Sequence, residues 1–387
     1  MPRLDVEVGG CYLVRSSDPE TVEVAACGGA VTELLRYALE EGLSDVAVCV
    51  ERGADVLDGR PVVVDDPSEV PSGSYHCAPV QLARIVAELH REDPTLRVTV
   101  TCRPCDARAL ERLAERDLVD LNRVYRIGLN CGGTFEPWVV LEILEEHGVD
   151  PSNVEREEIV KGRLILETED GTEVSVPIDV LEGSGSGRRE NCRRCDENVP
   201  KSVDLACGNW GVPQDLRGEW TFVEVKTEVG AGLLAGARED GRVEIREAPD
   251  ESMRTREKID GIMRKMAEYW RSETLDKGSL TEALEALDRC VKCRSCREVC
   301  PVCSACEEGC WEFSGRGRIP PNQFWHAHVA QCVALYCVEC GACETACPAE
   351  IPLTRVYHTL RRELPDIVER MTGRRESDSE DVHDSMA

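Results

Sequence analysis

The chain is predicted to be α+β: an α/β N-terminal part with added β-hairpins, followed by a mainly helical, cysteine-rich module. Three observations predict this. Strand-length apolar runs alternate with helical apolar spacing over residues 1–150, hairpin signals replace that alternation over 151–249, and 250–372 turns helical and dense in cysteine. Residues 373–387, polar and charged, are expected to be a disordered tail.

Val31, Leu34, Leu35, Ala38 and Leu39 fall at helical spacing, and Gly42 closes that helix. Residues 46–50 read as a buried strand, 80–91 as a second helix and 98–101 as a strand. Cys102-Arg103-Pro104-Cys105 reads as a turn, with Asp106 as N-cap of a helix through Glu115. A strand over 124–129 leads through Asn130-Cys131-Gly132-Gly133-Thr134 to a helix over 137–146. Residues 163–167 and 173–176 flank Glu169-Asp170-Gly171, a hairpin signal. Residues 183–187, Gly-Ser-Gly-Ser-Gly, form a flexible loop, and strands follow near 220–225 and 242–245. Residues 322–336 carry helical apolar spacing at Phe324, Val329, Val333 and Leu335.

A net charge of −28 argues against nucleic-acid binding, which requires a basic face. The excess carboxylate reads either as adaptation to a salty cytoplasm or as an acidic docking face. No run of about 18 apolar residues predicts a membrane span. The opening MPRLDVEVGG lacks an export pattern, so the chain is read as cytoplasmic. Twenty-two cysteines in so large a chain then point to metal ligation over disulfides.

Two runs share one spacing: Cys290-x2-Cys293-x2-Cys296-x3-Cys300-Pro301 and Cys337-x2-Cys340-x2-Cys343-x3-Cys347-Pro348. This is the ligand pattern of bacterial-type [4Fe–4S] proteins, in which the fourth cysteine usually reaches the other cluster of a pair. Paired zinc sites could use the same residues, but most zinc sites are laid out two plus two. Cys303, Cys306, Cys310 and Cys332 crowd the same region. They read as ligands of a further cluster, as substitutes for a motif cysteine, or as spare buried thiols.

The N-terminal cysteines are scattered. Cys105 ends a C-x2-C turn, Cys131 follows a strand, Cys192 and Cys195 form another C-x2-C, and Cys207 precedes Gly208. Loop cysteines after strands suit one buried cluster, whereas Cys102 and Cys105 also admit a redox dithiol. Glycine loops at Gly28-Gly29, Gly132-Gly133 and 208–211 precede or border helices. Each fits a phosphate-holding helix start or an ordinary cap, and none forms G-x-G-x-x-G after a strand.

Several segments taken in order resemble the beta-subunit family of coenzyme F420-reducing hydrogenases and formate dehydrogenases of methanogenic archaea. They are 26–32 (ACGGAVT), 103–106 (RPCD), 128–135 (GLNCGGTF), 192–196 (CRRCD), 204–211 (DLACGNWG) and 223–227 (VEVKT). The resemblance spans roughly residues 10 to 360, and the dicluster region is similar to the formate dehydrogenase branch; the hydrogenase subunit is typically shorter. It implies FAD, a proximal [4Fe–4S] cluster and a site for the deazaflavin coenzyme F420 as substrate, with three clusters in all. The proximal cluster is implied at Cys105, Cys131, Cys192 and Cys195, with Cys207 in reserve. The flavin lining is implied at Gly28, Gly29, Thr32, Ser74, Tyr75, Gly208, Asn209 and Gly211. One departure is Cys102-Arg103, where the family often has Gly-Thr.

No side chain is singled out as a catalytic acid or base, and His76, His326 and His328 read as surface or packing residues. The implied partner is a molybdenum- or tungsten-containing formate dehydrogenase alpha subunit. The alternatives are a hydrogenase or heterodisulfide reductase assembly, or a flavin-free ferredoxin-type carrier.

Overall fold

The computed structural model describes residues 5–73, 77, 79–276, 280–304, 321–322, 325–326, 329, 333 and 336–372. Ser74, Tyr75, His76, Cys306, Cys310, His328, Cys332 and the expected tail 373–387 therefore lie outside the described residues. The chain divides into two compact units, Met1–Glu268 and Tyr269–Ala387.

The first unit is built on an eight-stranded mixed sheet of order β11-β1-β10-β9-β5-β4-β2-β3. Its strands are β1 (Cys11–Ser16), β2 (Val46–Arg52), β3 (Gly59–Val64), β4 (Val98–Cys102), β5 (Val124–Leu129), β9 (Leu205–Gly208), β10 (Thr221–Val225) and β11 (Val243–Glu247). Between them in sequence lie β6 (Val154–Val160), β7 (Arg163–Thr168) and β8 (Glu173–Pro177), which form a separate antiparallel three-stranded sheet. Strands β2, β4, β5 and β9 run parallel, and the flanking pairs are antiparallel. The parts expected at 1–150 and 151–249 thus share one sheet, because β9 pairs with β5 and β10 with β1.

The helices of this unit are α1 (Pro19–Val24), α2 (Ala30–Glu40), α3 (Ala83–Glu92), α4 (Pro104–Ala114), α5 (Pro137–Glu146), α6 (Ile178–Gly183), α7 (Glu190–Arg193), α8 (Glu228–Glu239) and the start of α9 (Asp250–Arg271). Helices α2 and α8 press Leu34, Leu35, Leu233 and Leu234 against Ile127, Leu205 and Val223 of the sheet. A second core joins α5 to the small sheet through Val140, Leu144, Leu164 and Leu166.

One expected helix start moves. Helix α4 begins at Pro104, with Arg103 at the N-cap and Asp106 in the third helical position. Proline fits the first turn because its missing N–H would have no partner there. Asp106 then folds back, its carboxylate accepting from Arg103 N at 3.3 Å.

The second unit is mainly helical. It holds α10 (Leu280–Ala286), α11 (Ser295–Glu298), α12 (Ala342–Thr345) and α13 (Leu353–Thr372). Leu287, Trp325, Val329, Val333, Ile351, Val356 and Tyr357 form its own core, against which Cys290, Cys296, Cys337, Cys343 and Cys347 pack. Among the described residues no helix is long and apolar enough to cross a membrane.

Candidate functional site

Parallel strands end together at their carboxyl edge, where backbone dipoles and loops leave room for a ligand. In the first unit a cavity of about 230 Å³ opens there. The ends of β2, β4, β5 and β9 contribute Cys49, Val50, Thr101, Arg103, Leu129, Asn130, Cys131, Cys207, Gly208 and Asn209 to its walls. The start of α2 adds Gly29, Val31 and Thr32, and Thr32 Oγ1 lies 2.9 Å from Ser72 Oγ. Gly29 caps α2 in the left-handed conformation with no side-chain bond to the first turn. The leading N–H groups of that helix are thereby left to meet a ligand.

Of the residues expected to line a flavin, Gly29, Thr32, Gly208 and Asn209 line this cavity. Gly28 stands behind it, where a Cβ would meet Trp220 Cα at 2.8 Å, and Gly211 packs against Ser252 O and Phe222. Asn209 is held by its amide, which donates to Glu158 Oε1 at 2.9 Å.

Asn130 was not among the expected site residues. Both atoms of its side-chain amide are buried without a hydrogen-bond partner among the described residues. Gly208 makes room for it, since a Cβ there would lie 2.8 Å from the Asn130 side chain. A buried amide without partners costs about 1–3 kcal/mol. The sequence signal was present: Asn130 sits between the end of a strand and Cys131.

Next to the cavity stand four thiols. Cys131 and Cys195 are half-buried, and each lies near Cys192 and Cys105. The structure therefore brings near one another the four cysteines expected at one proximal site, from the start of α4, the loop after β5 and the α7 segment. Burial, reinforced by the neighbouring thiols, pushes the Cys131 thiol up to about 12 and the Cys195 thiol up to about 11. Such thiols give up their protons readily only to a metal. Gly133, at φ +102°, allows the fold: a Cβ there would meet Arg188 Cδ at 2.8 Å and Cys192 Cβ at 3.1 Å. Thr134 N donates to Cys192 Sγ at 3.5 Å.

Two cations face this group. Arg108 lies near Cys195 and pairs with Glu197 at 3.4 Å. Arg103 lies near Cys105 and Cys131 and pairs with Asp106 at 3.1 Å. Burial opposes the charge on Arg103, but Asp106 and the two thiols outweigh it and hold its pKa above the usual value. Arg103 also lines the cavity, so one guanidinium borders both places. Cys207 lines the cavity wall, with burial pushing its thiol up to about 12, and Cys102 is buried in β4.

The second unit has two smaller cavities. One of about 20 Å³ is lined by Cys290, Cys293, Cys296 and Cys347. The other, of about 50 Å³, is lined by Cys337, Cys340, Cys343 and Cys300, with Cys296 and Cys303 also in its wall. Each cavity thus takes three cysteines of one run together with the fourth of the other, and Cys296 borders both. Among the described residues no three His, Cys, Asp or Glu side chains converge closely enough for a single metal ion. Four thiols spread round a cavity suit a multi-iron cube.

Residues 11–87 match the N-terminal part, and residues 95–251 the C-terminal part, of the family described as coenzyme F420 hydrogenase/dehydrogenase, beta subunit. The F420-dependent formate dehydrogenase subunit beta of Methanocaldococcus jannaschii is 37% identical over 93% of this chain and 96% of its own length. The chain belongs to the coenzyme F420 hydrogenase/dehydrogenase beta-subunit family.

The family match lies wholly within the first unit, which carries the cavity and the four proximal thiols. A family relative, the coenzyme F420 hydrogenase subunit beta of Methanosarcina barkeri, is 28% identical over 61% of this chain and 81% of its own length. The fold is similar to a chain of the solved F420-reducing [NiFe] hydrogenase complex from Methanosarcina barkeri. That likeness has a TM-score of 0.60 and 25% identity, and covers 72% of this chain and 94% of that one.

Proposed function

We propose that this chain is the electron-transfer and F420-reducing subunit of a formate dehydrogenase. In this reading it passes electrons from a catalytic molybdenum or tungsten alpha subunit through [4Fe–4S] clusters to FAD, and on to F420 as hydride. The observation that carries the reading is that Cys131 belongs to the half-buried thiol quartet and also forms a wall of the large cavity. When bound, the clusters supply one-electron steps and the flavin supplies the exchange between single electrons and a hydride.

The residues present fit these groups. Cys105, Cys131, Cys192 and Cys195 would hold the proximal cluster. Cys290, Cys293, Cys296 and Cys347 would hold a second, and Cys337, Cys340, Cys343 and Cys300 a third. The start of α2 offers N–H groups to a phosphate, and Thr32, Gly208 and Asn209 would border the flavin. Asn130 offers one donor and one acceptor edge, complementary to a ring that alternates the two. Arg103 and Arg108 place positive charge against thiolates that would otherwise repel one another. No side chain is required as an acid or base.

Anaerobic purification tests the reading. About twelve irons and one FAD per chain are expected, with reduction of F420 by reduced viologen. A brown protein with iron and sulfide but no flavin would leave only the ferredoxin-type reading standing. The likeness to the hydrogenase complex favours a second reading, the same module serving a hydrogenase. Co-purification decides between them: a pterin-bearing large subunit supports formate dehydrogenase, and a nickel subunit sinks it.

A further inference from the structure

Cys300 belongs to two overlapping copies of one spacing. It ends the run that starts at Cys290, and it also starts Cys300-x2-Cys303-x2-Cys306-x3-Cys310, which repeats the same intervals. Cys306 and Cys310 lie outside the described residues, but Cys303 does not. It lines the cavity of about 50 Å³ together with Cys300, Cys337, Cys340 and Cys343. Its counterpart cavity, beside Cys290 and Cys347, is lined by four cysteines among the described residues.

The turn that joins Cys300 to Cys303 keeps them together. Ser304 N donates to Cys300 O at 3.1 Å, and Cys303 N donates to Cys300 Sγ at 3.4 Å. The two side chains are also in hydrogen-bond contact. Two residues separate them, the interval by which the other motif cysteines share one cluster. Val302, Val329, Val333 and Val338 wall the same space, so a charged thiolate there gains more from iron than from solvent.

We propose that Cys303 is an alternate ligand of the cluster held by Cys337, Cys340 and Cys343, able to take the corner that Cys300 occupies. This inference rests on the cluster reading given under Proposed function. In the exchange the iron–sulfur bond to Cys300 breaks and one to Cys303 forms. The proton of the Cys303 thiol passes to the released Cys300 sulfur, and no electron is gained or lost. While Cys300 is the ligand, the Cys303 S–H faces its sulfur, and hydrogen bonds to ligand sulfurs are one determinant of cluster potential.

The test uses the full chain, purified anaerobically, with iron and sulfide counts and electron paramagnetic resonance of the reduced protein. The comparison is wild type, Cys300→Ala, Cys303→Ala and Cys300→Ala/Cys303→Ala. Cys303→Ala is expected to keep the wild-type iron count. Cys300→Ala is expected to keep it too, with a shifted resonance from the changed ligand. The double variant is expected to lose between about one and four irons, as a three-iron remnant or a lost cube. Equal losses in Cys300→Ala and in the double variant would overturn the proposal. So would about sixteen irons in the wild type with four lost from Cys303→Ala, which would assign Cys303 to a separate cluster. A wild-type chain without iron would instead sink the cluster reading itself.

Discussion

At the scale of single residues, the site is marked by a buried polar group whose hydrogen-bonding edges suit a ligand. Among the described residues nothing pairs with the buried amide of Asn130, a cost of about 1–3 kcal/mol that a bound partner would remove. Asn130→Ala is therefore expected to leave the flavin-depleted apoprotein as stable or slightly more stable. Its flavin affinity should fall roughly tenfold, equivalent to about 1.4 kcal/mol. Flavin titration of the apoprotein beside a urea melt checks both signs; a destabilised chain with unchanged affinity would make Asn130 a packing residue. His90 behaves differently. Its Nδ1 accepts from Asp120 N at 3.3 Å and its Nε2 lies 3.2 Å from Leu96 O, which fixes the neutral tautomer. Burial, partly opposed by the Leu96 carbonyl, lowers its pKa below the usual value near 6.5. The unfolded chain then binds the extra proton first, so stability is complete above about pH 6.5 and declines as pH falls below it. Urea midpoints at pH 7.5 and 5.5 should drop more for wild type than for His90→Gln.

At the scale of elements, the junction of α8 with β9 and β5 fixes the loop geometry behind the site. Thr227 caps α8 by accepting from Gly230 N at 3.1 Å, and its hydroxyl donates to Asp204 Oδ1 at 2.7 Å. Asp204 also accepts from Arg126 N of β5 at 2.7 Å. Gly230 lets the helix approach so closely that a Cβ would lie 2.1 Å from Asp204 O. Gly232, in the same helix, has nothing within 4 Å of that position. Alanine is favoured over glycine in helices by about 1 kcal/mol, whereas overpacking costs about 1–3 kcal/mol. Gly230→Ala should therefore destabilise and Gly232→Ala stabilise, a pair of opposite signs read from urea midpoints. Elements that carry their own period were legible from the residues: the strand over 124–129 and the helix over 137–146 match β5 and α5. The start of α4 was not, because Pro104 and the back-folded Asp106 compete for the same turn. Strand β9 was missed as well; its Leu205, Ala206 and Cys207 are short and gain their pairing from β5 and β10, far off in sequence.

At the scale of the whole molecule, the apolar cores fall on either side of the division at Glu268. The two larger cores lie within Met1–Glu268, and the core built on Trp325, Val333 and Tyr357 lies within Tyr269–Ala387. Each unit buries its own apolar surface, the condition for folding alone. A chain ending at Glu268 is expected to fold, to bind flavin and to carry about four irons, while 269–387 carries about eight. Iron counts and thermal melts of the two fragments check this. A first fragment without iron would mean that its four thiols do not suffice for a cluster.

The residues by themselves pointed to the proposed chemistry: the repeated cysteine spacing is that of a multi-iron ligand set, and ligand intervals along a turn are a local property. They also determined the alternation of strands and helices, since apolar periodicity is local as well. Only the tertiary structure decided that Cys105, Cys131, Cys192 and Cys195 meet beside one cavity. The facing of each run's fourth cysteine toward the other run follows the arrangement expected from the spacing, whereas the tertiary structure also decided that Asn130 and Arg103 line that cavity and that Cys303 shares a cavity with Cys300. Those are contacts between distant segments, set by sheet order and packing rather than by any local pattern.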